Sequence, residues 1–342
     1  MKEQLEFEQK HGFSKPSEAD SEAAETFGQK HVSESPEMFK GSDILNKIIT
    51  RRSEGKTPFV LFSDIDGTFH HKERTQEMFD LKDGLEDADM GLALVTGRRD
   101  ANTNLANIPT PDILIQAAGS EIYLRKGDRL VLDEGFSDEI KEGWDRESTV
   151  NALRAFCSNN ERWREKIQIP EQDSKYEVIS NFIGTDEETQ DFIARFEKDL
   201  SDQGLKAKVT YWEHPSKQGF DCYIGILPIK AGKVQAIDYL HKKLGDIDGL
   251  VAGDSRIDID MLLQSGFPAV IVGGSQSSLL NEAAVKSEQL LFEDIRELSS
   301  GQWVYVANQN KPELKGSGGI IAALKTGMFL KADIEADLKN IL

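Results

Sequence analysis

Two aspartates, Asp64 and Asp66, stand just after an apolar run that ends in a serine, and they are followed by Gly67 and Thr68. Carboxylates this close repel each other, and either a divalent cation or a proton on one of them relieves the repulsion. Hard ions such as Mg²⁺ prefer oxygen ligands, so the pair indicates a metal or acid–base site. An ordinary strand-to-loop junction with solvated acidic residues is the alternative interpretation.

Side chains suited to an anionic ligand occur at two later points in the chain. Thr96 and Gly97 follow a second apolar run, where a hydroxyl and a glycine can hold a phosphate oxygen by hydrogen bond. Lys230 and Lys233 fall in the first turn of a helix predicted over residues 229–240, where the helix dipole disfavours cations unless an anion is bound. The alternatives are that Thr96 caps the next helix and that the lysines are solvated surface residues.

A second acidic segment contains Asp254, Ser255 and Asp258 after the apolar run 249–252. A helix is predicted to follow, and helical geometry places carboxylates one turn apart on the same face. We therefore expect Asp254 and Asp258 to face one site. The alternative is that Asp254 only caps this helix, with acidic residues stabilising its first turn.

Uninterrupted apolar runs must position these side chains. A strand solvated on one face alternates polar and apolar residues, whereas a parallel strand buried on both faces does not. Predicted strands are residues 59–62, 91–95, 112–116, 249–252, 267–272 and 303–307. Because the carboxyl ends of strands in an open α/β sheet face the ligand crevice, the candidate residues should meet there. The sequence thus predicts an α/β fold with a doubly wound, mostly parallel sheet.

The chain divides into segments of different texture. Residues 1–42 are rich in Glu, Gln, Ser and Lys without a sustained apolar period, which predicts an acidic, flexible extension. Between residues 141 and 226, helix-like and strand-like stretches alternate, which predicts an inserted α+β domain that caps the site. The remaining segments, 43–140 and 227–342, form the predicted catalytic core.

Composition limits the possible partners. The 342 residues carry a formal net charge of −19, which disfavours nucleic acid and anionic membranes because both require clustered basic charge. Two cysteines, Cys157 and Cys222, are too few for a disulfide framework or a cysteine-based zinc site. No apolar run approaches the roughly 18 residues that span a bilayer, and the N-terminus lacks the hydrophobic segment of a signal peptide. We predict a cytoplasmic protein with a small-molecule partner; the sequence does not indicate the oligomeric state.

Residues 64–68, Thr96, Lys233 and the segment 254–258 resemble, in order, the four motifs of the haloacid dehalogenase superfamily of phosphotransferases. Each motif falls at a predicted strand end or helix start, which is the structural context in which such a motif is meaningful. The resemblance spans about residues 57–330. It implies a Mg²⁺-dependent enzyme that acts on a phosphomonoester, and the second aspartate favours a phosphatase or mutase over a dehalogenase.

The resemblance also implies roles for the acidic residues. Asp64 would be the nucleophile that forms an aspartyl-phosphate, and Asp66 would be the general acid and then the general base. Mg²⁺ would bind to the Asp64 carboxylate, the Asp66 backbone carbonyl and the Asp254 carboxylate.

The remaining motif residues would handle the phosphoryl group. Thr96 with Gly97 and Lys233 would bind its oxygens, and Lys233 would offset the charge that develops on them. Asp258, supported by Ser255, would position Lys233 or a metal-bound water.

An insertion between the second and third motifs marks a C2-type cap in this superfamily. The segments 119–122, 227–233 and 318–321 are similar to the sucrose-phosphatase-like branch. Two positions depart from its pattern: Gly67 stands where sucrose phosphatases usually have asparagine, and Ile257 replaces the asparagine common in the fourth motif. A sugar or glycoside phosphate is therefore favoured as substrate over sucrose 6-phosphate itself.

Five ring-bearing residues outside the motifs are further candidates. Tyr211, Trp212 and His214 of the predicted cap either contact a sugar, whose apolar faces stack on aromatic rings, or pack inside the cap. His70 and His71 either ligate a metal or are solvated in a loop. Adjacent side chains usually point apart, so the loop interpretation is favoured.

Three functions are consistent with the sequence. The first is a Mg²⁺-dependent sugar-phosphate phosphatase, and the second is a phosphosugar mutase with the same catalytic groups. They differ in whether water or a second sugar hydroxyl meets the aspartyl-phosphate. The third is a non-catalytic sugar-phosphate sensor, which the intact Asp64 and Asp66 disfavour.

Overall fold

The computed structural model of the protein describes residues 37–169, 175–213, 221–282, 294–297, 302–327 and 330–341. Its strands are β1 (Phe59–Ser63), β2 (Gly91–Val95), β3 (Ile113–Gln116), β4 (Glu121–Lys126), β5 (Arg129–Leu132), β6 (Ile167–Gln168), β7 (Val178–Phe182), β8 (Ala207–Glu213), β9 (Cys222–Pro228), β10 (Asp248–Gly253), β11 (Ala269–Ile271), β12 (Asp294–Glu297) and β13 (Trp303–Val306). Its α-helices are α1 (Asp43–Ser53), α2 (Thr75–Asp87), α3 (Glu134–Ile140), α4 (Arg146–Asn159), α5 (Glu161–Arg164), α6 (Asp186–Asp202), α7 (Lys233–Leu244), α8 (Ile259–Gln264), α9 (Ser277–Glu282), α10 (Ser317–Thr326) and α11 (Ala332–Ile341).

The larger sheet has the strand order β12-β13-β11-β10-β1-β2-β3-β4-β5. The strands from β13 to β3 in this order are parallel to their neighbours, while β12, β4 and β5 pair antiparallel. Helices α1, α7 and α8 pack on one face, and α2, α10 and α11 pack on the other. The predicted doubly wound, mostly parallel α/β sheet is confirmed.

The opening strand shows why continuous apolar runs predicted this sheet. Val60 and Phe62 of β1 join the apolar cluster on one face, and Phe59 and Leu61 join the cluster on the other. All five residues of β1 are buried. Both faces therefore demand apolar side chains, and the alternation typical of half-solvated strands is absent.

A second sheet, with the antiparallel order β6-β7-β9-β8, lies in the inserted segment. Helices α4, α5 and α6 cover one of its faces with a separate apolar cluster rich in aromatic rings. Trp163, Phe182, Phe192 and Phe196 are fully buried there. This core is independent of the two clusters of the larger sheet.

The predicted boundary of the N-terminal extension is wrong at its C-terminal end. Phe39 is 0% exposed within the cluster that α1 contributes to, and Ser42 caps α1 by accepting a hydrogen bond from the Leu45 amide. Apolar burial and a helix cap both tie residues 37–42 to the folded unit. The rest of the predicted extension, residues 1–36, lies outside the described residues.

The helix predicted over residues 229–240 is displaced. It begins at Lys233, because Gly232 has a φ of 132° that a helix cannot accommodate, and it continues to Leu244. Lys230 therefore lies in a turn before α7, where its ammonium pairs with Glu142. The prediction that two lysines occupy the first helical turn is correct for Lys233 and wrong for Lys230.

Among the described residues, no helix has both the length and the apolar character that crossing a bilayer requires.

Candidate active site

A cavity of about 600 Å³ lies between the carboxyl edge of the larger sheet and the second sheet. This volume suits a small-molecule ligand. The cavity is lined by Asp64, Asp66, Thr96, Gly97, Arg98, Arg99, Asp100, Ile179, Trp212, Tyr223, Asp254, Ser255, Ile257 and Gln276. The sheet thus brings the ends of β1, β2 and β10 to one place, as their parallel arrangement predicts.

Asp64 follows β1 directly and is nearly buried. Its backbone amide donates to the Ala252 carbonyl at 3.0 Å, which continues the pairing of β1 with β10 past the last strand residue. Its Oδ1 accepts a hydrogen bond from Lys233 Nζ at 2.6 Å. Burial and the nearby carboxylates of Asp258 and Asp254 raise the pKa of Asp64, while Lys233 opposes the rise.

Asp254 follows β10 and faces Asp64. Its Oδ1 accepts from the Thr68 hydroxyl at 2.8 Å, and a Cβ atom on Gly67 would lie 2.3 Å from its Oδ2. Gly67 also has a φ of 87°. The positive φ favours glycine at this position, and a larger residue would have to displace the Asp254 carboxylate from where it lies here.

Asp258 organises the loop after β10. Its Oδ2 accepts from the amides of Asp254 and Ser255, at 3.2 and 3.0 Å, and from the Ser255 hydroxyl at 2.8 Å. The segment Arg256–Asp258 is a 3₁₀ turn capped by Ser255, and α8 begins only afterwards. Asp254 thus caps no helix. Asp254 and Asp258 lie at one site, as expected, but they do not share the face of a helix.

Lys233 joins these acidic residues. Its Nζ donates to Asp64, to Asp258 Oδ1 at 2.6 Å and to the Val95 carbonyl at 3.1 Å, and the residue is 4% exposed. Burial alone would lower the pKa of Lys233, but the carboxylates of Asp258 and Asp64 raise it above its ordinary value. Lys233 therefore remains a cation inside the site.

Two glycines place Lys233. The Gly232 amide donates to the Gly119 carbonyl at 3.0 Å, and a Cβ atom on Gly119 would lie 2.1 Å from the Gly232 carbonyl carbon. Backbone therefore packs on backbone where α7 begins, and no larger residue fits at Gly119. The segments 119–122 and 227–233, which resemble the sucrose-phosphatase-like branch, meet at this contact.

The acidic residues suit a divalent cation. Carboxylate oxygens of Asp64, Asp254 and Asp258 all lie within 4.8 Å of one another, and one lysine faces these three carboxylates. Burial and the Asp258 carboxylate raise the pKa of Asp254 to about 7, which reflects the surplus of negative charge. Oxygen donors with unbalanced negative charge are the ligand set of Mg²⁺. Because Asp258 is engaged by Lys233 and Ser255, Asp64 and Asp254 are the carboxylates suited to hold it.

Thr96 follows β2 and has a buried hydroxyl that accepts from the Arg98 amide at 3.1 Å. No regular helix follows directly, so the alternative that Thr96 caps one is wrong. Gly97 lines the cavity, and Ile257 Cδ1 lies 3.6 Å from the position a Cβ on Gly97 would take. Ile257 therefore places an apolar wall where the fourth motif commonly has asparagine.

Asp66 is held away from the group of carboxylates that could bind a metal. Arg98 Nε donates to its Oδ2 at 2.7 Å, and Arg98 Nη2 contacts its Oδ1. The Asp66 side chain is 55% exposed toward the cavity. A ligand role for Asp66 thus concerns its backbone carbonyl alone.

The ring-bearing candidates differ in whether they line the cavity. Trp212 lines the cavity, whereas Tyr211 packs partly against the apolar cluster of the second sheet and carries the Arg256 guanidinium 4.3 Å from its ring centroid. His70 and His71 belong to no group of potential metal ligands among the described residues. His214 lies outside the described residues.

Several cavity residues were not identified from the sequence. Arg98 and Arg99 follow Thr96 and Gly97, so a search for cations beside the second motif would have found them. Tyr223 and Ile179 reach the cavity from β9 and β7, and strand alternation alone does not reveal which face of the second sheet meets the core.

Comparison with known proteins finds related sequences. A family model described as sucrose-6F-phosphate phosphohydrolase matches residues 57–297. A putative HAD-like hydrolase from Nitrosococcus oceani is 26% identical over 239 residues, which cover 67% of this chain and 62% of that one. Sucrose-phosphatase 2 from Nicotiana tabacum is 29% identical over 184 residues, 52% of this chain and 39% of its own. The chain thus spans less than two thirds of these relatives' length.

The fold has a solved counterpart. The structure of the sucrose-phosphatase from Synechocystis sp. PCC6803, in complex with sucrose and phosphate, superposes with a TM-score of 0.59 at 23% identity. The match covers 80% of this chain and 100% of that chain. It supports the α/β fold of this chain.

Proposed function

Because the chain belongs to the sucrose-6F-phosphate phosphohydrolase family, and so to the haloacid dehalogenase superfamily, we propose that it is a phosphatase of a sugar or glycoside phosphate. The proposal rests on one observation above all: Lys233 lies between Asp64 and Asp258, with Asp254 beside them, and Asp64 and Asp254 line the cavity. Phosphoryl transfer needs a nucleophile, positive charge beside the phosphoryl oxygens and a proton for the leaving group. This cluster supplies the first two.

In the first step, Asp64 Oδ attacks phosphorus and the bond to the sugar oxygen breaks. Asp66 donates a proton to the departing sugar oxygen, so that a neutral alcohol leaves. Thr96 and Lys233 hydrogen-bond the phosphoryl oxygens. Asp64 and Asp254 would hold Mg²⁺, which would supply positive charge that offsets the repulsion between the anionic nucleophile and the phosphoryl group.

In the second step, Asp66 takes a proton from water, and the resulting hydroxide attacks the aspartyl-phosphate. The phosphorus–Asp64 bond breaks, and inorganic phosphate and the free carboxylate are restored. Asp66 must leave Arg98 to serve these steps, because both of its oxygens are engaged by the guanidinium. When the sugar enters the cavity beside Arg98, the contact between Asp66 and Arg98 breaks and Asp66 becomes free to contact the substrate.

Residues 141–226 act as the cap in this proposal. The second sheet supplies Ile179, Trp212 and Tyr223 to the cavity, opposite the acidic cluster. A wall of this kind excludes water from the phosphoryl group and presents a surface to the leaving group.

A phosphate-release screen tests the proposal. Hexose and disaccharide phosphates are incubated with the protein and Mg²⁺, and released phosphate and sugar isomers are both quantified. Phosphate release from at least one sugar phosphate is the expected result. Isomerisation without phosphate release would indicate the mutase, which uses the same groups. If neither reaction occurs but a sugar phosphate binds tightly, the result would indicate the sensor.

A further inference from the structure

Glu177 is a buried carboxylate that the proposed reaction does not use. It lies directly before β7 of the second sheet and is 0% exposed. Among the described residues, neither of its carboxylate oxygens has a hydrogen-bond partner. A buried charge needs such partners, because burial removes the water that would otherwise solvate it. The ionised form of Glu177 is therefore disfavoured in the folded protein.

Two charged side chains from elements of the larger sheet act on Glu177. Arg99, in the segment after β2, has its Nε 3.2 Å from Glu177 Oε2. Glu121 begins β4 and brings a second carboxylate. Burial raises the pKa of Glu177 to about 7, while Arg99 opposes the rise and Glu121 adds to it. The charge of Glu177 therefore changes near neutral pH.

Gln116, the last residue of β3, fixes this arrangement. Its side chain is buried, and its Nε2 donates to the Arg99 carbonyl at 2.8 Å and to Glu121 Oε2 at 2.7 Å. The Tyr123 hydroxyl donates to the same oxygen of Glu121 at 3.0 Å. One buried amide thus holds the backbone of Arg99 and the carboxylate of Glu121, the two residues whose charges act on Glu177.

Arg99 connects Glu177 to the cavity. The Arg99 side chain is 34% exposed and lines the cavity, whereas Glu177 is fully enclosed. Among the described residues, four carboxylates and two guanidinium groups line the cavity: those of Asp64, Asp66, Asp100 and Asp254, and those of Arg98 and Arg99. An anionic ligand therefore meets an excess of negative protein charge. A change of one charge beside Arg99 must alter the affinity for such a ligand.

We propose that Glu177 controls, through Arg99, how tightly the cavity binds an anionic ligand. The inference deepens the proposed function and rests on it for the identity of the ligand, a phosphomonoester. A proton on Glu177 removes one negative charge from beside Arg99, which makes the potential in the cavity more positive. Ionisation of Glu177 reverses this change. The coupling is reciprocal, so binding of an anion favours the protonated form of Glu177 and takes up a proton near neutral pH. Glu177 touches no ligand and acts as a positioning residue.

Glu177→Gln tests the proposal, because the amide stays neutral at every pH. The ratio of kcat/KM in this variant to that in the wild type is measured with p-nitrophenyl phosphate at the same pH and Mg²⁺ concentration. It should be near one at about pH 5.5 and rise about three- to tenfold by about pH 8.5, chiefly through KM. Loss of a merely structural contact would not produce a gain that grows with pH. Glu187→Gln, the same change at an exposed position on α6, should give a ratio near one throughout.

Two further variants locate the coupling. Arg99→Gln should bind anions more weakly at every pH, and the added Glu177→Gln change should then give no gain with pH, since Arg99 no longer favours ionisation of Glu177. Glu121→Gln should move the midpoint of the pH dependence to lower pH, because the Glu121 carboxylate adds to the rise in the pKa of Glu177. An unchanged midpoint in the folded Glu121 variant would contradict the arrangement.

Sulfate binding separates this inference from the proposed function. Sulfate keeps both negative charges across this pH range, and tryptophan fluorescence of the protein with Mg²⁺ reports its binding, since Trp212 lines the cavity. From about pH 5.5 to about pH 8.5, the Kd of the wild type should rise about three- to tenfold more than that of Glu177→Gln. No sulfate binding, or an equal pH dependence in the two proteins, would overturn the coupling. The expected sulfate result without phosphate release from any sugar phosphate would overturn the phosphatase and leave the role of Glu177 standing.

Discussion

The ammonium group of Lys233 lies 2.6 Å from Oδ1 of Asp258, and both side chains are almost wholly enclosed by protein. The second oxygen of Asp258 holds the loop that carries Asp254. One carboxylate therefore fixes a cation on α7 and a candidate metal ligand after β10 at once. Asp258 touches neither phosphate nor leaving group in the proposed reaction, and it acts as a positioning residue.

Asp258→Asn should lower kcat at least about tenfold and reduce thermal stability, because an amide cannot accept hydrogen bonds at both of its heavy atoms. Breaking a buried ion pair by removing one partner costs roughly 3–5 kcal/mol. Phosphate release and thermal unfolding measure the two effects. The control is Asp260→Asn, the same change on an exposed residue two positions away. A kcat equal to that of the control would contradict the positioning role.

Asp64→Asn should abolish phosphate release while leaving the fold intact. The amide is a poor nucleophile, and removing one charge from a group of crowded carboxylates relieves repulsion. Thermal unfolding and steady-state turnover are measured side by side. Asp83→Asn, an exposed aspartate on α2, is the matched control. Near-wild-type turnover of the Asp64 variant would falsify the mechanism.

Properties that depend on strand period were predictable from the sequence. The uninterrupted run 59–62 revealed β1 because both of its faces are buried. Asp254 and Asp258 do lie at one site, but the helical face that was predicted to carry them is absent, because Asp254 precedes the 3₁₀ turn Arg256–Asp258. The start of α7 was not predictable, since it depends on Gly232 packing against Gly119, which is distant in the chain. The Arg98–Asp66 pair likewise forms only when the ends of β1 and β2 come together.

Glu177 should make stability depend on pH. Burial raises its pKa from the ordinary 4.5 to about 7, with the Glu121 carboxylate adding to the rise and Arg99, at 3.2 Å, opposing it. The folded protein thus retains a proton that the unfolded chain releases, so this stabilisation is full below pH 4.5 and is lost as pH rises through 7. The change corresponds to roughly 3 kcal/mol.

Glu177→Gln tests this directly, because the amide keeps the shape and cannot ionise. The variant and the wild type should be similarly stable near pH 5, and the variant should become the more stable one by pH 8. Urea unfolding at several pH values measures the difference in free energy. A difference that does not change with pH would contradict the assignment to Glu177.

Two N-terminal deletions should behave differently. Removal of residues 1–36 should leave kcat and KM unchanged, since that segment carries no motif residue. Removal of residues 1–42 should lower the unfolding temperature, because it also removes buried Phe39 and the α1 cap, Ser42. Phe39→Ala should reproduce most of the loss, about 3–5 kcal/mol. A change in kcat with the shorter deletion would show that residues 1–36 act on the site.

Finally, Mg²⁺ should stabilise the protein through Asp254 as well as support turnover. A cation that binds the folded state alone raises the unfolding temperature with its concentration, and chelation should reverse both that rise and the activity. Asp254→Asn removes one of the two carboxylates suited to hold the ion, while the amide oxygen can still accept from the Thr68 hydroxyl. The variant should therefore need at least about tenfold more Mg²⁺ for half-maximal turnover and show little thermal shift with the ion. The exposed Asp260→Asn variant should respond as the wild type does. An undiminished shift in the Asp254 variant would place the ion elsewhere, because the measurement depends on binding and not on turnover.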